Sequence, residues 1–271
     1  MAASATPVVV QNTGSATVSG SVQEHARPTR TEGDDDDGPA PPRRRPGRPG
    51  VRCRRGGRIS EFLASRWPDI LFRAWQHGWL VLQALAIATV LAIALAVIAT
   101  RIKALTPIAN AFTAVGLTLP SFALIGVLIP LVGIGTVPAV VVVVFYALLP
   151  ILRNALVGLR GVDPEVLEAA RGMGMGPVAL FTRVRLPLAW PVILTGIRVA
   201  GQLGMGVAAV AAYVLGPGLG SYIFTGLVSL GGANALNYAL VGTLGIVVVA
   251  LVLDGLLVLL GRLTISKGLR A

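Results

Sequence analysis

The sequence predicts an all-α membrane protein with about five core transmembrane helices and one long polar loop between the third and fourth. Three observations predict it. Mean hydropathy is +0.77, and only 13% of residues are charged, where a soluble domain carries about a quarter. The charge that exists is segregated. Asp34, Asp35, Asp36, Asp37 and an Arg-rich run over 43–58 sit in the first 60 residues, whereas the chain from 78 onward is almost wholly Ala, Val, Leu, Ile and Gly. Finally, apolar stretches near the ~20 residues needed to cross hydrocarbon recur along that second part.

In order, residues 1–58 are rich in Gly, Pro, Ser, Thr, Asp and Arg. They hold too little apolar surface to offset their ordering entropy, and a disordered tail is expected. No apolar core follows a basic start within the first 30 residues, unlike a signal peptide. Over 59–76, Phe62, Leu63, Trp67, Ile70, Leu71 and Trp75 recur at helical spacing against Glu61, Arg66, Asp69 and Arg73. That pattern predicts an amphipathic helix at the membrane interface, with Trp67, Trp75 and Trp79 at headgroup level. Spans are predicted over 78–100, 108–132, 137–157, 188–215 and 236–261. The second is interrupted by Pro120 and Pro130, read as tolerated kinks in preference to a gate. Residues 216–235, rich in Gly with Pro217, are expected to form a re-entrant or surface segment, because irregular backbone at membrane depth must be satisfied by protein or water.

Orientation follows from Lys and Arg in short loops. Arg101 and Lys103 follow the first span, Arg160, Arg171, Arg183 and Arg185 lie between the third and fourth, and Arg262, Lys267 and Arg270 follow the fifth. If spans alternate, all three groups share one side, and the opposite loop 133–136 is uncharged. The basic side is predicted to be cytoplasmic, with the C-terminus. Five spans then put the N-terminus outside despite its arginines, most of which lie too far from the first span to weigh in the rule.

The loop 158–187 is the informative segment. Asp163 is a good N-cap, Pro164 suits the first helical position, and Glu165 complements the helix dipole. A helix is expected from Pro164 to about Arg171. Gly172, Gly174 and Gly176 then allow a sharp turn, Pro177 opens a second short helix reaching Arg185, and Pro187 starts the fourth span. The product is a helix–turn–helix projecting from the membrane, with Val166, Leu167, Ala169 and Ala170 offered to a partner.

The spacing Glu168-Ala169-Ala170-x3-Gly174-x9-Val184-x-Leu186-Pro187 closely resembles the EAA loop of binding-protein-dependent ABC importer permeases; Val184 replaces a more usual Ile. The segments Thr118-Leu-Pro-Ser-Phe-Ala123, Tyr146-Ala-Leu-Leu-Pro-Ile-Leu-Arg-Asn154, Gly158-Leu-Arg-Gly-Val-Asp-Pro164 and Gly218-Leu-Gly-Ser-Tyr-Ile-Phe-Thr225 are similar to the glycine betaine/carnitine/choline/proline (osmoprotectant) branch. The likeness covers roughly 78–265. It implies the ABC permease (MetI-like) fold in a bacterial-type cell membrane. It also implies an ATP-binding subunit docking on 163–187 through Glu168, Ala169, Ala170 and Gly174, a second permease subunit, the same or paralogous, and an extracytoplasmic solute-binding protein.

Other chemistry is not indicated. Cys53 is the lone cysteine, and His25 and His77 stand apart from other metal ligands, so no metal or cofactor is expected. Zincin, hydrolase-elbow and P-loop signatures are missing, which argues against an enzyme. The basic tail carries no interleaved aromatics for bases, and anionic lipid suits it better than nucleic acid. An ion-driven secondary transporter would show inverted repeats and paired intramembrane carboxylates; neither is seen. A permease of the amino-acid or methionine branch is the nearer alternative. Inside the spans, Arg198 lies about 16 Å above the start of the fourth and Asp254 about 12 Å above the end of the fifth. Similar depth predicts an ion pair locking the two, since an unpaired charge there is costly. Gly201, Gly204 and Gly206 suit close helix packing, including against a second permease. Tyr146, Tyr213 and Tyr222 are scattered aromatics that define no solute site.

Overall fold

The computed structural model describes residues 59–265 other than 103 and 215; the tail expected to be disordered lies outside them. Every regular element among the described residues is helical: α1 Ile59–Arg101, α2 Leu105–Thr118, α3 Ser121–Val132, α4 Thr136–Arg160, α5 Pro164–Gly172, α6 Pro177–Leu180, α7 Leu186–Ala211, α8 Gly220–Val228 and α9 Ala235–Thr264. A π-helical turn, Phe181–Arg185, joins α6 to α7. Among the described residues, four stretches are long and apolar enough to cross a membrane: Ile59–Arg101, Thr136–Arg160, Pro177–Val214 and Ala235–Thr264. The α2–α3 pair makes a fifth if counted as one span.

The core lies between α1, α4 and α7, and small residues bring these helices together. Ala84, Ala88, Ala92 and Ala96 recur every fourth residue along α1, and all are fully buried. In lipid, apolar side chains gain little by meeting each other instead of acyl chains, so close backbone approach through such a stripe is what favours association. Gly158 and Gly196 do the same for α4 against α7. A Cβ on Gly196 would stand 2.7 Å from Asn154 Cβ, and one on Gly158 3.0 Å from the Ala189 carbonyl oxygen. Of the three glycines singled out on the fourth span, Gly201 packs toward Leu253 and Leu257, and Gly204 toward Val81 and Val143, all within the chain. Only Gly206 faces open space. Helix α9 is the least enclosed, with 17% of its most apolar window buried against 56% for α4.

Three expectations change. First, the separate interfacial helix over 59–76 is instead the beginning of α1, which runs unbroken for 43 residues. That is about 64 Å of helix, twice the hydrocarbon thickness. Its inner face buries Phe62 and Ile70 against Leu219, Tyr222 and Val241, and this packing carries the helix past the point where hydropathy alone suggests a boundary. Trp67, Trp75 and Trp79 remain exposed on its outer face.

Second, Pro120 does not merely kink the second span. The chain bends by 98° between α2 and α3. Proline lacks the N–H that would continue the ladder and pushes its predecessor out of the helical region; Leu119 accordingly has φ −67° and ψ 131°. The carbonyl freed at Leu119 accepts a hydrogen bond from the Tyr146 hydroxyl. Pro130, by contrast, is tolerated inside α3.

Third, the second helix of the long loop is no independent hairpin arm. Backbone angles stay right-handed helical through Leu180, Phe181, Arg185 and Leu186, so α6 and α7 form one rod. Pro187 sits in the first turn of α7 without ending it, because the preceding π-helical turn already shifts the hydrogen-bond register.

Candidate functional site

Helix α5 stands at one end of the bundle and is held there by local chemistry. The Asp163 side chain caps it by accepting from the Glu165 N–H at 2.9 Å, satisfying one of the four donors a helix start leaves free. At its other end, Met173 N–H donates to Ala169 O at 3.1 Å, Gly174 N–H to Arg171 O at 2.9 Å and Met175 N–H to Ala170 O at 3.2 Å. Gly174 has φ +80°, a conformation that costs an L-residue roughly 1–2 kcal/mol. A Cβ there would meet nothing within 4 Å. Glycine is required at this position by backbone geometry and not by space. Gly172 is still helical and Gly176 has φ −68°, so Gly174 alone of the three uses glycine's left-handed freedom.

The predicted docking residues divide. Glu168 and Ala169 are exposed, as is Val166, whereas Ala170 is 2% exposed and points into the chain. Leu167 is half-buried and packs on the main core. Ala170 and Leu167 are therefore inward anchors, and the surface offered outward is Val166, Glu168 and Ala169. Val184 and Leu186 are half-buried in the rod, Pro187 is exposed, and Gly174 lies at the exposed turn. The loop is tied back to α4 by Arg185, whose Nε donates to Leu159 O at 2.8 Å. Arg160 in turn donates to the Thr106 hydroxyl at the start of α2.

Arg198 and Asp254 meet in a two-point contact, Nε to Oδ1 at 2.9 Å and Nη2 to Oδ2 at 2.9 Å. The fork matches the carboxylate in both positions. The side chains remain 41% and 25% exposed in the single chain, so the pair joins α7 to α9 at the surface of the single chain.

Sequence reasoning missed the opposite end. Tyr222 on α8 donates to Asp69 Oδ2 at 2.6 Å, Arg73 holds both Asp69 oxygens, and Arg73 Nη1 donates to Ser221 Oγ at 2.7 Å. The cluster locks the start of α1 to α8. Burial and the Asp69 carboxylate together push the Tyr222 hydroxyl up to about 12, so it remains a donor at neutral pH. His77 is fully buried, with Nε2 3.2 Å from Met205 O. Tyr146 and Tyr222 are thus spent on structure, while Tyr213 is 63% exposed beside Phe122 and Phe224. The i, i+4 spacing of Asp69 and Arg73 was the only sequence signal for the cluster; the approach of α8, 150 residues on, left none.

Comparison with known proteins places this geometry. The family described as binding-protein-dependent transport system inner membrane component matches residues 88–266. The choline transport system permease protein OpuBB of Bacillus subtilis is 36% identical over 217 residues, covering 78% of this chain and 96% of that one. The osmoprotectant import permease protein OsmW of Salmonella typhimurium is 40% identical over 202 residues, 72% of this chain and 92% of that one. Among solved structures, the inward-facing MetNI methionine ABC transporter aligns with a TM-score of 0.59 at 22% identity, over 74% of this chain and 96% of that one. An amino acid ABC transporter with histidines aligns at 0.61 and 17%, over 74% and 97%; at such identities these show the fold alone. The chain therefore belongs to the binding-protein-dependent transport system inner membrane components, as a multi-pass, non-catalytic permease subunit of an ABC importer that works with an ATP-binding subunit and a solute-binding protein.

Proposed function

We propose that this permease imports osmoprotectants of the glycine betaine, choline and carnitine type, and that α5 is the surface on which the ATP-binding subunit docks. The observation that carries the solute class is the 35–40% identity, over more than nine-tenths of their length, to permeases named for choline, for glycine betaine/carnitine/choline and for osmoprotectants. The docking role is supported by Glu168 and Ala169 lying exposed on a helix whose base is anchored by Ala170 and Leu167. Because α6 and α7 form one rod, a push on α5 reaches the centre of the bundle as movement of a whole span. ATP-driven closure of the partner subunits would thus rock the spans between outward- and inward-open states, beside a second permease copy or paralogue.

In this reading the end bearing α5 is cytoplasmic, with the C-terminus, and the loop 133–136 and α8 face outward. The Arg198–Asp254 pair is a structural lock between α7 and α9, its open side turned from lipid toward protein or water. The test is ATP-dependent uptake of radiolabelled glycine betaine, choline, carnitine and proline by vesicles holding the complete importer. Uptake that requires ATP and is lost in Gly174→Asp, with the protein still in the membrane, is expected. Failure with all four solutes would overturn the solute class, and uptake indifferent to ATP would overturn the coupling. Sidedness is checked in a Cys53→Ser background: an impermeant thiol reagent should label Ile134→Cys from outside and leave Met173→Cys untouched.

A further inference from the structure

The end of the molecule that carries α5 contains a cavity of about 490 Å³. Its walls come from three places: Val97 and Arg101 in the last turns of α1, Arg171 at the end of α5, and Leu180, Phe181 and Arg185 on the rod. The three arginines approach from separate elements. Arg101, Arg160 and Arg171 are all near enough to Arg185 to repel its charge. Arg185 is held by the Leu159 carbonyl and Arg160 by the Thr106 hydroxyl, both neutral acceptors. Arg101 and Arg171 have no hydrogen-bond or ion-pair partner among the described residues, and no described carboxylate enters the cluster. Arg101 and Arg171 are exposed in the single chain and Arg185 is half-buried, so three guanidinium groups around one cavity, with no counter-charge among the described residues, concentrate positive charge that an anion would neutralise.

The shape of the cavity narrows the choice of anion. Guanidinium forks match phosphate oxygens in pairs. The remaining wall is mostly apolar, with Val97, Leu180 and Phe181 beside Thr100, and continues into the final turns of a candidate membrane span. A ligand with a phosphate at one end and hydrocarbon next to it fits both surfaces, and basic pockets between helices at a membrane edge recognise such headgroups. We infer that Arg101, Arg171 and Arg185 form a binding site for a phosphate-bearing anion, supplied by the headgroup of an anionic phospholipid in the adjoining leaflet. Seated there, the anion bridges α1 to the α5–α6 turn and removes the repulsion that would otherwise spread them. The inference goes beyond the transport assignment, because the site is independent of solute and of ATP.

The experiment uses the complete importer, delipidated in neutral detergent and titrated with phosphatidylglycerol or phosphatidylcholine, with bound lipid counted by native mass spectrometry. Wild type is compared with the Arg101→Gln/Arg171→Gln double variant and with Arg183→Gln, which removes the same kind of charge at the same end but does not line the cavity. Arg185 is left in place because it also supports the backbone. Wild type and Arg183→Gln should bind phosphatidylglycerol alike and well above phosphatidylcholine. The double variant should bind it some 25-fold more weakly, at about five-fold for each cation near an anionic headgroup. A parallel arm with inorganic phosphate separates the two sources. Competition at millimolar phosphate that equals the effect of lipid would assign the site to the free ion, and lipid-only protection would assign it to the headgroup. Equal binding of the two lipids, or undiminished phosphatidylglycerol binding in the double variant, would overturn the inference. So would loss of the ATP-binding subunit from the double variant with lipid binding intact, which would make the arginines a subunit contact.

Discussion

The two ends of the bundle treat charge in opposite ways. At the α8 end, each ionic group of the cluster is matched in place: Asp69 is held by Arg73 and Tyr222, and Arg73 by Ser221. At the α5 end, Arg101 and Arg171 have no such partner among the described residues, and Glu168 and Ala169 face outward. A matched end is finished by the chain itself, whereas an unmatched one leaves charge for the proposed docking subunit and anion to meet. The glycines differ in the same sense. Gly174 is required by its positive φ with nothing nearby, while a Cβ on Gly220 would overlap the Ala209 carbonyl oxygen. At these two positions one glycine is fixed by space and the other by backbone direction.

The largest effect is expected midway between the ends, where charge is matched but surrounded by span. Arg198→Asp or Asp254→Arg leaves two like charges facing each other at membrane depth, where a single uncompensated one costs about 2.5–3.5 kcal/mol on insertion scales. Either should drain the protein from the membrane fraction. The double reversal should restore the level seen on immunoblots, and no restoration would show that the pair is not a lock.

Gly220→Ala comes next. Overpacking a filled site typically costs 1–3 kcal/mol, so both membrane level and melting temperature should drop; an unchanged melting temperature would mean α8 simply moves aside. Gly174→Ala is the mirror experiment. Its cost is about 1–2 kcal/mol, local to the turn, and so ATP-driven uptake should fall several-fold while the protein level holds. If level and uptake fell together, the distinction between the ends would collapse.

The smallest change is Tyr222→Phe. It removes one hydrogen bond from a partly exposed carboxylate that keeps Arg73, at a cost of about 1.5 kcal/mol, the low end for a charged acceptor. A melting temperature lowered by a few degrees with transport retained is expected; lost transport would give the α8 end a role beyond structure.

Much of the fold was legible because the bilayer imposes a length and a polarity that can be counted along a chain. The third and fourth spans, 137–157 and 188–215, lie within a few residues of α4 and the α7 run, and the Asp163–Pro164 start of α5 follows from capping chemistry alone. What misled was the reading of boundaries. Amphipathic periodicity over 59–76 looked like a helix lying flat, yet the same pattern serves a helix continuing straight and packing on a partner segment. Pro120 and Pro187 look alike in sequence, and only one breaks the chain. At Pro120 the preceding residue turns extended and Tyr146 from α4 takes up its carbonyl, whereas Pro187 sits in the first turn of a helix entered through a π-helical turn.

By itself the sequence determined which segments are apolar enough to cross a membrane, which loop carries the Glu168-Ala169-Ala170 and Gly174 pattern, and which family the chain resembles. All of these depend on hydropathy, spacing and local backbone chemistry. The tertiary structure alone decided that Ala170 turns inward, that α6 and α7 form one rod, that Tyr222 reaches Asp69, and that three arginines from separate elements share a cavity. The rod comes from the local π-helical turn, whereas the other facts arise from contacts between residues tens to about 150 positions apart, and nothing local to either partner specifies those.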